Sequence, residues 1–204
     1  KLLANLQGMM LGKRSGDRET RYAAAAAWAN YVARSGRSKG LAAAMNAYLK
    51  DRTLSASEAS SPWGVLYGYV LAAEQTGGAE VLAPLEKIMN EAPGSINAEN
   101  EQIYFSAPEA WARAVIRNGK FAEYAQRGMG QDGAPKPSVI DRMLLSKDRP
   151  MLVAAALRAI ALSRDPQVTQ SVRSPTGHLP AIDVPVFAPS TYVGEYGYGA
   201  ASPG

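Results

Sequence analysis

The sequence predicts a mainly α-helical protein: an alanine-rich multi-helix bundle followed by an extended, proline-rich C-terminal arm. Alanine accounts for 36 of the 204 residues and clusters at 23–27, 42–44 and 154–156. It is the best helix former, and its small side chain lets helices pack closely. Apolar residues also recur at helical spacing between Ser, Gly and Pro residues, which are typical of helix ends. Together these patterns favour a helical domain over residues 1–165.

The first half of the chain predicts four helices. The first begins near Asp17 and ends at Arg34, because acidic residues favour a helix start and Ser35-Gly36 favours a stop. Gly40–Lys50 is the second helix, and its apolar residues form one stripe. A third helix opens within residues 55–62 and ends at Gly77-Gly78, and a fourth spans Ala79–Asn90.

The second half predicts a polar loop over 93–100 and then a helix from Pro108 to about Asn118. The sequence Ser-Ala-Pro-Glu at 106–109 suggests this start, with Ser as the cap, Pro in the first turn and Glu at the third position. A short turn at 121–127, a loop at 128–137, and two helices at Ser138–Leu145 and Pro150–Ser163 complete the predicted domain.

The chain divides into a helical domain, residues 1–165, and an arm, residues 166–204. The arm holds six prolines and three charged side chains, and it shows no helical period. It is too rich in apolar and aromatic residues for a solvated linker. We therefore predict that it docks on a protein surface, either on a partner or on its own domain. The candidate docking residues are Phe187, Tyr192, Tyr196 and Tyr198.

Composition narrows the range of functions. The chain has no cysteine and a single histidine, His178, which lies in the proline-rich arm. Disulfide scaffolds, cysteine nucleophiles, iron–sulfur clusters and the common zinc sites are therefore excluded. The sequence Gly-x-Ser-x-Gly of serine hydrolases does not occur. We expect no enzymatic activity and no cofactor, and no apolar run reaches the roughly 20 residues of a membrane span.

Positive charge is concentrated in the first third of the chain. Residues 1–52 hold ten basic and three acidic side chains, whereas the whole chain has a formal charge of +4. Such a concentration either solvates the exposed helix faces or contacts the phosphates of a nucleic acid. The candidate nucleic-acid-binding residues are Lys13, Arg14, Arg18, Arg21, Arg34, Arg37 and Lys39.

One stretch resembles a known family. Leu85-Glu-Lys-Ile-Met is followed, after a loop, by Ile103-Tyr-Phe-Ser-Ala-Pro-Glu-Ala-Trp-Ala-Arg-Ala114. Residues 85–114 thus resemble a segment of tailed-phage polyvalent and minor head proteins. In members that look like zinc peptidases, the resemblance implies that Glu109 supplies a third zinc ligand. This chain lacks the His-Glu-x-x-His helix that would provide two ligands and the general base, so zinc-peptidase activity is not expected.

These observations lead to one main functional hypothesis. We expect a structural component of a large assembly, a bacteriophage virion or DNA-ejection protein that is assembled in the bacterial cytoplasm. Its arm would bind other copies or neighbouring subunits, and DNA is a further candidate partner. The start at Lys1 rather than Met would fit proteolytic maturation. The alternatives are a nucleic-acid-binding helical module and a peptidase-like enzyme built on Glu109.

Overall fold

The computed structural model describes residues 2–10, 17–36, 39–50, 62–92, 100–131 and 133–163. These residues are mainly α-helical, as the sequence predicts. Their helices are α1 (Leu2–Met10), α2 (Arg18–Arg34), α3 (Leu41–Lys50), α4 (Pro62–Thr76), α5 (Leu82–Glu91), α6 (Glu101–Arg117), α7 (Phe121–Ala125), α8 (Val139–Leu144) and α9 (Pro150–Ser163). A 3-10 turn, Ala79–Val81, precedes α5, and strand β1 (Gly128–Met129) pairs antiparallel with β2 (Pro135–Lys136). The division between domain and arm stays a prediction.

Four helices, α2, α4, α6 and α9, pack side by side in that order and form what we call the helix row. Helices α2 and α4 run in the same direction. The rings of Tyr22 and Tyr67 lie 5.0 Å apart near the helix starts, and Asn30 accepts a hydrogen bond of 3.2 Å from Gln75 near the ends.

The other two pairs of neighbouring helices in the row, α4 with α6 and α6 with α9, also run in the same direction. Tyr67 of α4 is hydrogen-bonded to Ser106 of α6. Closer to the C-terminal ends of both helices, Glu74 pairs with Arg113, so α4 and α6 are parallel. Near the start of α6, Tyr104 lies in the electrostatic field of Arg149, which immediately precedes α9, and further along both helices Glu109 pairs with Arg158, so α6 and α9 are parallel as well. The helices between them in the chain, α3, α5 and α7–α8, lead the chain from the end of one helix of the row back to the start of the next. The result is an arrangement of stacked helix pairs. The corresponding Asn30 and Gln75 are 45 residues apart, although no sequence repeat accompanies this spacing.

Helix α4 occupies the middle of the core. Its Leu66 and Val70 are fully buried, and so is Ala25 of the neighbouring α2. Gly68 allows α1 and α2 to approach α4 closely. A Cβ at this position would lie 2.5 Å from Met10 Cε and 3.4 Å from Trp28 Cε3. Small residues therefore set the helix spacing, which confirms the role that the sequence suggests for alanine.

Helix α6 corrects one prediction. It begins at Glu101 rather than at Pro108, and Pro108 lies inside it. A proline within a helix costs roughly 3 kcal/mol, because it removes a backbone hydrogen bond and crowds the preceding turn. Burial of Ile103, Ala107 and Trp111 on one face offsets that cost. Ser106 does not cap the helix, since its side chain bonds to Tyr67 of α4.

Two further elements differ from the prediction. Helix α1, for which no element was predicted, packs against α2 and α4. The predicted loop at 128–137 contains the short β1–β2 hairpin. Among the helices described, none combines the length and apolarity that a bilayer crossing requires.

The start of α8 is held by a capping box, as Ser138 was predicted to begin this helix. The Ser138 hydroxyl accepts from the Asp141 backbone N–H, and the Asp141 carboxylate accepts from the Ser138 backbone N–H, both at 3.0 Å. Arg127 donates to the same carboxylate through Nε at 2.9 Å and a terminal nitrogen at 3.2 Å. Asp141 thus ties α8 to the hairpin that follows Arg127.

We expect Asp141→Ala to lower the free energy of unfolding by about 2 kcal/mol, because it removes a cap and a charge-assisted bond. Burial raises the pKa of Asp141, but the bonds from Arg127 and Ser138 outweigh it and lower the pKa below its ordinary value. The stabilisation is therefore complete above about pH 4 and is lost as pH falls through the folded-state pKa. Urea denaturation from pH 7 to pH 2 measures both effects. Glu123→Ala, at the exposed Lys120 pair, is the control and should cost under about 0.5 kcal/mol.

Candidate functional site

The predicted basic residues fall into three groups. Lys13, Arg14 and Arg37 lie outside the described residues. Arg34 and Lys39 are exposed near the turn between α2 and α3, and Arg18 is half-buried. Arg21 is 9% exposed and packs inside the domain, where the backbone of Gly64 approaches it. Of the described candidates, Arg34 and Lys39 are thus the best placed to meet a phosphate.

The predicted docking residues of the arm, Phe187, Tyr192, Tyr196 and Tyr198, also lie outside the described residues. Their role therefore stays a prediction. What the structure does describe is the surface of the helical domain on which such an arm, or another partner, could lie.

Glu109, the residue singled out by the phage resemblance, lies in a cluster of charged side chains across α4, α6 and α9. One carboxylate oxygen accepts from Arg113 Nε at 2.6 Å and the other from Arg158. Arg113 also lies 3.4 Å from Glu74 of α4. Two guanidinium groups surround the Glu109 carboxylate, an arrangement that suits an ion pair better than a metal cation. Within the described ranges, no group of three His, Cys, Asp or Glu residues could hold a metal ion.

The two carboxylates of this cluster differ in what surrounds them. Burial raises the pKa of Glu74, and its proximity to Glu109 adds to the rise, while Arg113, Arg117 and Arg158 oppose it. Glu74 therefore destabilises the folded state when ionised. Glu109 instead holds two guanidiniums together.

A matched pair of substitutions tests this difference. We expect Glu109→Gln to destabilise the protein by about 1 kcal/mol, since it leaves Arg113 and Arg158 without their shared carboxylate. Glu74→Gln should cost less. Because the folded-state pKa of Glu74 is raised, its ionisation lowers stability as pH rises from about 4.5 through that pKa. Over this pH range the Glu74→Gln variant should therefore gain stability relative to the wild type. An unchanged difference in their unfolding free energies would contradict the raised pKa of Glu74.

A second polar network joins α5, α6 and α7. Trp111, fully buried, donates from its indole nitrogen to Glu86 at 3.0 Å. The Tyr124 ring packs edge-on against Trp111 with centroids 5.4 Å apart, and its hydroxyl is hydrogen-bonded to the same carboxylate. Burial, with help from Glu86 and Glu123, raises the pKa of Tyr124 to about 12.

The raised pKa predicts a distinct alkaline titration. Tyr124 should remain neutral when ordinary tyrosines ionise near pH 10. The stability that its neutral, hydrogen-bonded form contributes to the folded state should be lost as pH rises from about 10 through about 12. Absorbance of phenolate, followed against pH, should show a late-titrating component, to which Tyr67 and Tyr104 with their raised pKa values also contribute, and this component should shrink by one tyrosine in Tyr124→Phe. A loss confined to the tyrosines that ionise near pH 10 would show that Tyr124 ionises with them.

A groove opens where α1, α2, α3 and α4 meet, and we call it the aromatic groove. Its volume is about 280 Å³, and its lining residues are Gln7, Met10, Trp28, Tyr48, Val65 and Tyr69. Tyr69 lies edge-on to Trp28 at 5.4 Å and to Tyr48 at 5.8 Å between ring centroids. Sites for small molecules usually enclose roughly 300 Å³ or more. With a volume close to the lower limit of such sites, the groove is large enough to accept a protein side chain.

The sequence alone indicates part of this site. Trp28, Tyr48 and Tyr69 fall on helical faces beside alanine and leucine, a pattern typical of core or interface residues, but nothing in the sequence brings the three together. The groove also depends on Gln7 and Met10 of α1, a helix that was not predicted. The signal that could have identified this helix is the apolar spacing of Leu2, Leu3, Leu6 and Met10.

The charged clusters are thus bonded within the domain, while the aromatic groove opens at the surface of the described residues. No protein-family model matches this chain, and no curated protein or solved structure is significantly similar to it.

Proposed function

We propose that this protein is a non-enzymatic component of a multi-subunit assembly, which binds neighbouring subunits through its helical domain and its C-terminal arm. The aromatic groove is the observation that carries this proposal. Its described lining combines three aromatic rings with one polar amide, that of Gln7. Aromatic residues are enriched at protein interfaces because they bury a large apolar area while their polar atoms keep a partner.

The arrangement of charge supports the same proposal. Glu109, Glu86 and Asp141 each accept hydrogen bonds from neighbouring side chains. Their geometry fits bonds that hold helices together. A scaffold with internally paired charges and an open aromatic groove is suited to binding a protein.

The more specific hypothesis is a bacteriophage virion or DNA-ejection protein. It is supported by the resemblance of residues 85–114 to phage polyvalent and minor head proteins. Zinc binding separates this hypothesis from a peptidase-like enzyme. A purified chain that binds stoichiometric zinc, and loses it in Glu109→Ala, would favour the enzyme.

Light scattering after size exclusion tests the proposed assembly. The wild-type chain should give a mass that rises with concentration to a defined oligomer. A variant with Tyr192, Tyr196 and Tyr198 all replaced by serine should associate at least tenfold more weakly. A chain that stays monomeric, and that recruits no subunit in a mixture of candidate assembly proteins, would contradict the proposal.

Nucleic-acid binding is the second candidate, and it is supported by the charge of residues 1–52 and by the exposure of Arg34 and Lys39. Replacing both by glutamate should weaken DNA binding strongly and reduce its dependence on salt by about two phosphate contacts. The matched control is Lys120→Glu with Lys136→Glu, which changes the net charge equally elsewhere on the domain. Equal effects of the two pairs would indicate a response to net charge alone.

A further inference from the structure

We propose that the aromatic groove of one copy binds a tyrosine from residues 192–198 of a second copy, which joins the copies head to tail. This inference rests on the proposed assembly function and names its partner and its contact.

The chemistry of the groove fits a tyrosine side chain. A fourth ring can pack edge-on against Tyr48 or Tyr69, since these rings already make such contacts with their neighbours. The exposed amide of Gln7 offers a hydrogen-bond partner for a phenol hydroxyl at the edge of the groove. Among the described residues that line the groove, no side chain is charged.

The arm carries side chains of the required kind. Residues 192–198 read Tyr-Val-Gly-Glu-Tyr-Gly-Tyr, so three tyrosines are separated by short stretches that contain glycine. Helix α9 ends at Ser163, so the segment 164–191 connects it to the first of these tyrosines. Fully extended, at about 3.4 Å per residue, this segment spans up to about 95 Å. The arm is therefore long enough to reach a groove on another copy.

The placement of the two parts gives the contact its direction. The groove lies at the α1–α2 end of the helix row, whereas the arm follows α9 at the opposite end. Three helix spacings of about 8–10 Å separate these ends. A contact between opposite ends of identical molecules is heterologous, and it generates a ring or a filament.

Complementation between two full-length variants tests the proposal. The donor variant is the one altered in the arm: it replaces Tyr192, Tyr196 and Tyr198 by serine and keeps the groove intact. The acceptor variant is the one altered in the groove: it replaces Gln7 and Tyr48 by lysine and keeps the arm intact. A second acceptor variant, Tyr48→Ser, guards against misfolding, and circular dichroism checks that every variant is folded.

Each variant alone should associate at least tenfold more weakly than the wild type. An equimolar mixture of donor and acceptor variants should form a 1:1 dimer and nothing larger, because only one intact groove can meet one intact arm. Gln102→Lys with Leu145→Lys, two exposed positions away from the groove, is the matched control and should associate like the wild type.

Three results would overturn the inference. If folded acceptor variants associate like the wild type while the donor variant does not, the arm binds elsewhere, and the proposed assembly function stands without this groove. If the mixture forms no dimer, donor and acceptor do not meet in separate copies. If the wild type is monomeric and the groove tyrosines still respond to arm substitution, the arm occupies the groove of its own chain.

Discussion

Trp111→Ala is expected to lower the free energy of unfolding by about 3 to 5 kcal/mol. Trp111 is fully buried in α6, and its removal would leave a cavity between α6, α5 and α7. The substitution also removes the indole donor of Glu86 and the ring against which Tyr124 packs. Urea denaturation followed by circular dichroism measures the change at constant pH.

Trp111→Phe separates packing from hydrogen bonding. Phenylalanine retains most of the buried ring but cannot donate to Glu86, which keeps its bond from Tyr124. We expect a loss of about 1 to 2 kcal/mol. A loss as large as that of the alanine variant would show that the bond to Glu86, rather than packing, dominates the contribution of Trp111.

Arg117→Met is expected to cost about 2 to 3 kcal/mol, the second largest effect. Arg117 lies at the end of α6 and donates to backbone carbonyls at the end of α4 and just beyond it: Ala73 at 3.4 Å, Glu74, and Gly77 at 3.0 Å. The Gly77 backbone N–H also bonds to the Ala73 carbonyl at 2.8 Å, but the carbonyls that end a helix have no further turn to supply such partners, and α4 ends at Thr76. Methionine preserves much of the stem and removes the donors, so thermal and urea unfolding report the loss of the bonds.

Two controls accompany this prediction. Arg117→Lys keeps the charge but has no planar fork of donors, and it should recover only part of the stability. Arg113→Met removes an arginine of the same helix that is exposed like Arg117 but is paired with carboxylates instead of backbone carbonyls, and it should cost about 1 kcal/mol or less. If the Arg113 and Arg117 variants lost equal stability, the contacts to the end of α4 would have no special role.

Local patterns predicted the helices whose ends are set by neighbouring residues. Helix α9 spans Pro150–Ser163 as expected, and α2 begins next to Asp17 as expected; the structure adds that the Asp17 side chain caps it by accepting from Thr20 N–H at 2.7 Å. Around Pro108, local signals were misleading. The residues at 106–109 resemble a helix start, but α6 begins earlier, at Glu101, because its apolar face is buried against other helices. That burial is a tertiary effect, which a local pattern does not show.

The candidate site was less predictable than the helices. The ion pairs of Glu109 bring together residues up to 49 positions apart, and no local pattern fixes which arginine meets which carboxylate. The aromatic groove likewise combines side chains from four helices. Its formation depends on the parallel packing of α2 and α4, which the sequence does not encode as a repeat.

The shared direction of the helices in the row has an electrostatic consequence. Each helix carries about half a positive charge at its start and half a negative charge at its end, so parallel neighbours place like partial charges along the same edge. Arg34 in the last turn of α2 and Arg117 at the end of α4 lie where the negative ends gather. These arginines offset a repulsion created by the parallel packing itself, and part of the basic character of this protein thus belongs to its architecture.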